Sequence, residues 1–138
     1  VKIAFNPSSY LIKKENLSSL LKRTDILILN KQEAQLLTRS KVNLLENLIK
    51  LGPKIAVITD KDKIITCYDG HNRYFLIPNK VKVIERTGAG DAFASGFVAA
   101  QMARKSIKES LRIGLAESES VIKYFGAKNR LLRMRLRK

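Results

Sequence analysis

The sequence predicts an α/β fold: a parallel sheet with an appended antiparallel hairpin. Three observations carry that prediction. Apolar runs such as Ile26-Leu27-Ile28-Leu29 are too short for a helix and read as strands buried on both faces. Segments with leucines at near-helical spacing lie between them, the order expected of βαβ units. Further on, Asp69-Gly70-His71-Asn72 separates two strand-like runs and marks a hairpin.

Each element can be justified in turn. Residues 1–5 form a short apolar strand ending in Asn6-Pro7-Ser8-Ser9, a turn able to cap a helix. Leu11, Leu17, Leu20 and Leu21 then recur at near-helical spacing as far as Arg23. After the 26–29 strand, residues 31–38 and 42–50 read as helices, the second stopped by Leu51-Gly52-Pro53. Residues 55–59 are another buried strand. Residues 64–68 and 73–77 are the hairpin arms, with His71 a solvated residue at the tip. A β-rich run at residues 81–84 feeds a glycine turn, and helices follow at about 92–104 and 107–124. Phe93, Phe97 and Ala100 share a stripe on the first, where Gly96 and Ala99 are small enough for close packing.

A chain of 138 residues can hold one domain with a substantial core. Its net charge of +15 favours anionic partners such as nucleotides and phosphorylated metabolites. Part of that charge lies in residues 128–138, which contain no acid. Aromatics do not interleave with the basic residues, which disfavours nucleic acid as a partner. No apolar run approaches the roughly 20 residues that span a bilayer, so no membrane partner is expected. One cysteine excludes an internal disulfide and suits a reducing, cytoplasmic setting. One histidine and one cysteine leave no usual zinc site. The opening strand lacks an initiator methionine and reads as the continuation of a larger fold.

Thr87-Gly88-Ala89-Gly90-Asp91 is the stretch richest in chemistry. Glycines let the backbone turn sharply and approach a ligand closely. The amides freed at the helix start can then hold an anion. Asp91 beside them could take a proton from an attacking hydroxyl, or could simply favour the helix dipole. The segment is not a Walker A loop, because Asp91 follows the second glycine where that loop has Lys-Ser/Thr. It also lacks a complete dinucleotide fingerprint. Asn30-Lys31-Gln32-Glu33 follows the 26–29 strand directly and has two compatible readings. It is a capping box, or a polar pair facing a crevice and ordering hydrated Mg²⁺. Asn30, Thr59 and Thr87 are each expected just past a strand end, where open α/β sheets bind ligands.

Taken whole, Glu85-Arg86-Thr87-Gly88-Ala89-Gly90-Asp91-Ala92-Phe93-Ala94-Ser95-Gly96 resembles the C-terminal signature of the PfkB, or ribokinase-like, carbohydrate kinases. Asn30-Lys31-Gln32-Glu33 resembles that family's Asn-x-x-Glu motif, and Gly126-Ala127-Lys128-Asn129 its late small-residue loop. The resemblance implies a ribokinase-like three-layer fold with helices on both faces of the sheet. Residues 1–138 would be its C-terminal nucleotide-binding and catalytic portion, without the N-terminal half. Asp91 would be the catalytic base, and the amides of Gly88, Ala89 and Gly90 the anion hole. Asn30 and Glu33 would order Mg²⁺ and phosphates, and Thr59, Gly126 and Asn129 would line the nucleotide. Thr87, with Glu85 where the family usually has Asp, could help hold K⁺.

The implied reaction is ATP-dependent phosphoryl transfer to a hydroxymethyl group of a sugar or nucleoside acceptor. As this chain alone it is expected to be inactive, needing a separate N-terminal half or a homo-oligomer. The alternative is a non-enzymatic nucleotide-binding remnant or regulatory module. Two positions depart from the family pattern: Lys61 and Ile64 stand where glycine is usual. If the backbone there needs a left-handed conformation, a side chain costs about 1 kcal/mol and crowds the nucleotide.

Overall fold

The computed structural model describes residues 1–61 and 63–123. The chain divides into two compact units, Val1–Ile77 and the part from Pro78 onward. Sequence reasoning treated them as one.

The first unit contains β1 (Ala4–Phe5), α1 (Ser9–Lys14), α2 (Ser18–Leu21), β2 (Ile26–Asn30) and α3 (Lys31–Thr38). It continues with α4 (Leu44–Lys50), β3 (Ile55–Thr59), β4 (Ile65–Tyr68) and β5 (Arg73–Leu76). The five strands form one sheet in sequence order, with β1, β2 and β3 parallel and the β4–β5 hairpin antiparallel. This is the expected parallel sheet with its hairpin. Ile26, Leu27, Ile28 and Leu29 are all buried, as a strand covered on both faces requires. Leu27, Leu29, Ala56 and Ile58 share one face and pack with Leu17, Leu21, Ala34, Leu45 and Leu48 from the helices and their connections.

The first helical stretch differs from its reading. Residues 11–23 break into two short helices, because Asn16 turns the chain: its Oδ1 accepts from both the N–H (3.1 Å) and hydroxyl (2.7 Å) of Ser18. His71 is exposed at the hairpin tip, where its N–H donates to Asp69 Oδ1 at 2.9 Å.

The second unit contains α5 (Ala89–Met102) and α6 (Ile107–Ile122), packed against each other. A capping box starts α6: Glu109 N–H donates to Ser106 Oγ at 3.2 Å, and Ser106 N–H to Glu109 Oε2 at 3.0 Å. The β-rich run at residues 81–84 forms no strand. Instead the segment is tied to α6. The N–H of Asn79 (2.8 Å) and its side-chain amide (3.1 Å) donate to the Glu119 carboxylate. The N–H groups of Ile84 (2.8 Å) and Glu85 (3.3 Å) donate to Ile122 O.

Candidate functional site

In the first unit, Asn30 and Thr59 end neighbouring parallel strands and face each other directly in register. Thr59 Oγ1 donates to Leu29 O at 3.5 Å, across the same pair of strands. Asn30 also caps α3. Its Oδ1 accepts from Glu33 N–H at 2.9 Å, and Glu33 Oε2 accepts from Asn30 N–H at 2.9 Å. The capping-box reading is therefore met in both directions. One carboxylate oxygen of Glu33 and the side-chain amide group of Asn30 keep no hydrogen-bond partner among the described residues.

Lys31, the residue after Asn30, pairs with Asp60, the residue after Thr59, at 3.5 Å. Both side chains are partly exposed, so the pair contributes little stability, but it links the ends of β2 and β3. Sequence reasoning missed this link, because the two residues lie far apart in the chain and meet only through the register of β2 and β3. Lys61 has φ +49°, the left-handed conformation that glycine accommodates best. Ile64 is not among the residues with positive φ.

The second unit builds the glycine turn. Gly88 is the N-cap of α5 with φ +82°, a conformation that L side chains rarely adopt. The turn is closed by Ala89 N–H donating to Arg86 O at 3.1 Å and Ala92 N–H to Gly88 O at 2.8 Å. The Ala89 amide is thus engaged within the turn. The N–H groups of Gly90 and Asp91 have no backbone partner among the described residues. A methyl group built on Gly90 would meet nothing within 4 Å among the described residues beyond its own helical turn. Asp91 is exposed in the first turn of α5, where its charge favours the helix start. Thr87 is exposed and Glu85 half-buried, and both follow an irregular segment where a strand end was expected.

Gly126 and Asn129 lie outside the described residues. Among the described residues no group of three or more His, Cys, Asp or Glu side chains could hold a metal ion, and no helix is long and apolar enough to cross a membrane.

The mixed five-stranded sheet and its helices have the ribokinase-like class of fold. The chain belongs to the PfkB family of carbohydrate kinases, whose family pattern matches residues 2–133. It is 32% identical over 133 residues to a cytidine kinase of Thermococcus kodakarensis, covering 91% of this chain and 48% of that protein. It is 31% identical over 137 residues to a ribokinase of Haemophilus influenzae, covering 94% of this chain and 44% of that one. A ribokinase-like protein from E. coli, solved in complex with ATP and Mg²⁺, shares the fold at a TM-score of 0.82 and 19% identity. That likeness covers 91% of this chain and 44% of the E. coli chain. The chain spans about half the length of the curated relatives it matches.

Proposed function

We propose that this chain is the C-terminal, nucleotide-binding and catalytic portion of an ATP-dependent sugar or nucleoside kinase. The observation that carries the reading is the turn at Gly88. It leaves the amides of Gly90 and Asp91 unpaired at a helix start, with a carboxylate in the same helical turn.

Such amides stabilise negative charge that develops on a transferring phosphoryl group. The Asp91 carboxylate accepts the proton of the acceptor hydroxyl as its oxygen bonds to the γ-phosphorus. The bond from that phosphorus to the bridging oxygen breaks, and ADP leaves. Because Ala89 N–H is spent on Arg86 O, the anion hole rests on Gly88 and Gly90, with the Asp91 amide beside them. Of the atoms the capping box leaves over, the second carboxylate oxygen of Glu33 would accept from a water of hydrated Mg²⁺, and the Asn30 side-chain amide, a donor, would reach a phosphate oxygen. When bound, the ion neutralises phosphate charge. Thr59 would line the nucleotide, a role the family resemblance also gives to Gly126 and Asn129 outside the described residues, and Glu85 and Thr87 would hold K⁺. The bound ATP and Mg²⁺ of the E. coli relative and the nucleoside and sugar kinases among the relatives support this assignment.

The test is Asp91→Asn, made in this chain assembled with a complementary N-terminal half. Nucleotide binding survives, and phosphoryl transfer to sugar or nucleoside falls by about four orders of magnitude. Equal turnover in the variant removes Asp91 from the base role. A second reading, a nucleotide-binding module without transfer, is favoured by Lys61, whose side chain stands at a left-handed position in the loop after Thr59. Nucleotide binding without transfer to any acceptor in the assembled protein selects it.

A further inference from the structure

The first unit carries a groove on the surface formed by α1, α3 and the turn after α3, with a volume of about 560 Å³. Lys13, Arg39 and Lys41 line it, and no carboxylate does. None of these three cations forms an ion pair among the described residues. Three like charges gathered without a counter-charge repel one another and concentrate anions locally.

The helix that builds the wall is patterned for this. Gln32, Gln35, Leu36 and Arg39 are spaced i, i+3, i+4 and i+7 along α3 and all line the groove. A stripe at that spacing facing another helix is ordinarily apolar. Here three of the four are hydrogen-bonding or charged, and the α1 side adds Ser9 and Lys13. Arg39 ends α3 with φ +52°, where glycine or asparagine is the usual choice. A cation therefore occupies a position that backbone preference alone would give to a smaller residue.

We propose that this groove binds a small organic molecule carrying two or more phosphate groups. Its volume is that of a metabolite pocket. It has no aromatic lining for stacked bases, which separates it from a nucleic-acid surface. The proposal is separate from the kinase reading: Gln32 lies between Asn30 and Glu33, but no groove residue has a role in that reading.

The test is titration of the full chain with inorganic pyrophosphate, followed by amide chemical shifts. The expected result is saturable binding, with the largest shifts at Gln35, Arg39 and Ser40. Lys13→Glu weakens it by roughly tenfold or more. Arg39→Gly weakens it comparably while holding or raising the melting temperature, because glycine suits that backbone, so lost binding is not mistaken for lost folding. Asp91→Asn leaves the groove's affinity unchanged, whatever it does to transfer. Four results overturn the proposal: no saturable binding, shifts centred on residues 30–33 or 88–91, wild-type affinity in both groove variants, or single-stranded RNA displacing pyrophosphate from the groove at lower phosphate concentration.

Discussion

Lys61 is a local conflict between side chain and backbone. A left-handed residue with a Cβ costs about 1–2 kcal/mol, and glycine returns part of that as chain entropy in the unfolded state. Lys61→Gly is therefore expected to stabilise the chain by about 0.5 kcal/mol, a small rise in thermal midpoint. On the proposed kinase reading it also removes a side chain from the loop after Thr59, and nucleotide affinity rises. Gly88 is the opposite case. Gly88→Ala at φ +82° is expected to cost about 1–2 kcal/mol in urea unfolding. At this scale the sequence was informative where the partners are close in the chain. Asn30 and Glu33 sit at N-cap and N3, so their reciprocal bonds follow from spacing. The Lys31–Asp60 pair depends on two parallel strands coming into register, which no local pattern announces.

At the level of elements, α5 and α6 approach closely because both carry glycine at the crossing. A Cβ on Gly114 would lie 2.8 Å from Phe93 O, and one on Gly96 would lie 3.1 Å from Gly114 Cα. Backbone atoms cannot step aside as a flexible side chain would. Gly114→Ala is expected to destabilise the second unit by about 1–3 kcal/mol despite alanine's better helix propensity. Denaturant unfolding followed by helical signal measures it. Ser106→Ala, which removes one arm of the α6 capping box, is expected to cost about 1 kcal/mol in the same assay. The buried strands were legible because a four- or five-residue apolar run bounded by turns admits few alternatives. Residues 81–84 misled because β-propensity describes a side chain's fit to a sheet, and Ile84 instead donates its N–H to Ile122 O at the end of α6. The break at Asn16 was hidden because leucine spacing continues across it.

Across the molecule, pH acts on the first unit through groups that change their ionisation on folding. Asp25 is held below the usual carboxylate range, first by the Lys54 ammonium (2.7 Å) and then by Ile3 N–H (2.9 Å). Asp69 is lowered mainly by Asn72 N–H at 2.6 Å and, to a lesser degree, by His71 N–H. A lowered folded value means the stabilisation is complete above the unfolded value of 3.8 and fades as pH falls through the folded one. Melting temperature is expected to drop below that pH, and less steeply in Lys54→Met. Burial pushes the Cys67 thiol in β4 up to about 12, against an ordinary value of 9.0. That contribution is complete below 9.0 and is lost as pH climbs towards 12. At neutral pH a thiol reagent is expected to label Cys67 only at the rate at which β4 opens. The pairing of Asn30 with Thr59 across β2 and β3 has a further consequence. Neither group can be repositioned without shearing a hydrophobic ladder, because sliding one strand by a single residue would send its inward side chains outward. The placement of both groups at the sheet's rim is thus inherited from the grease beneath it, and on the proposed kinase reading a conservative swap deep in that ladder is felt as altered nucleotide affinity before the fold gives way.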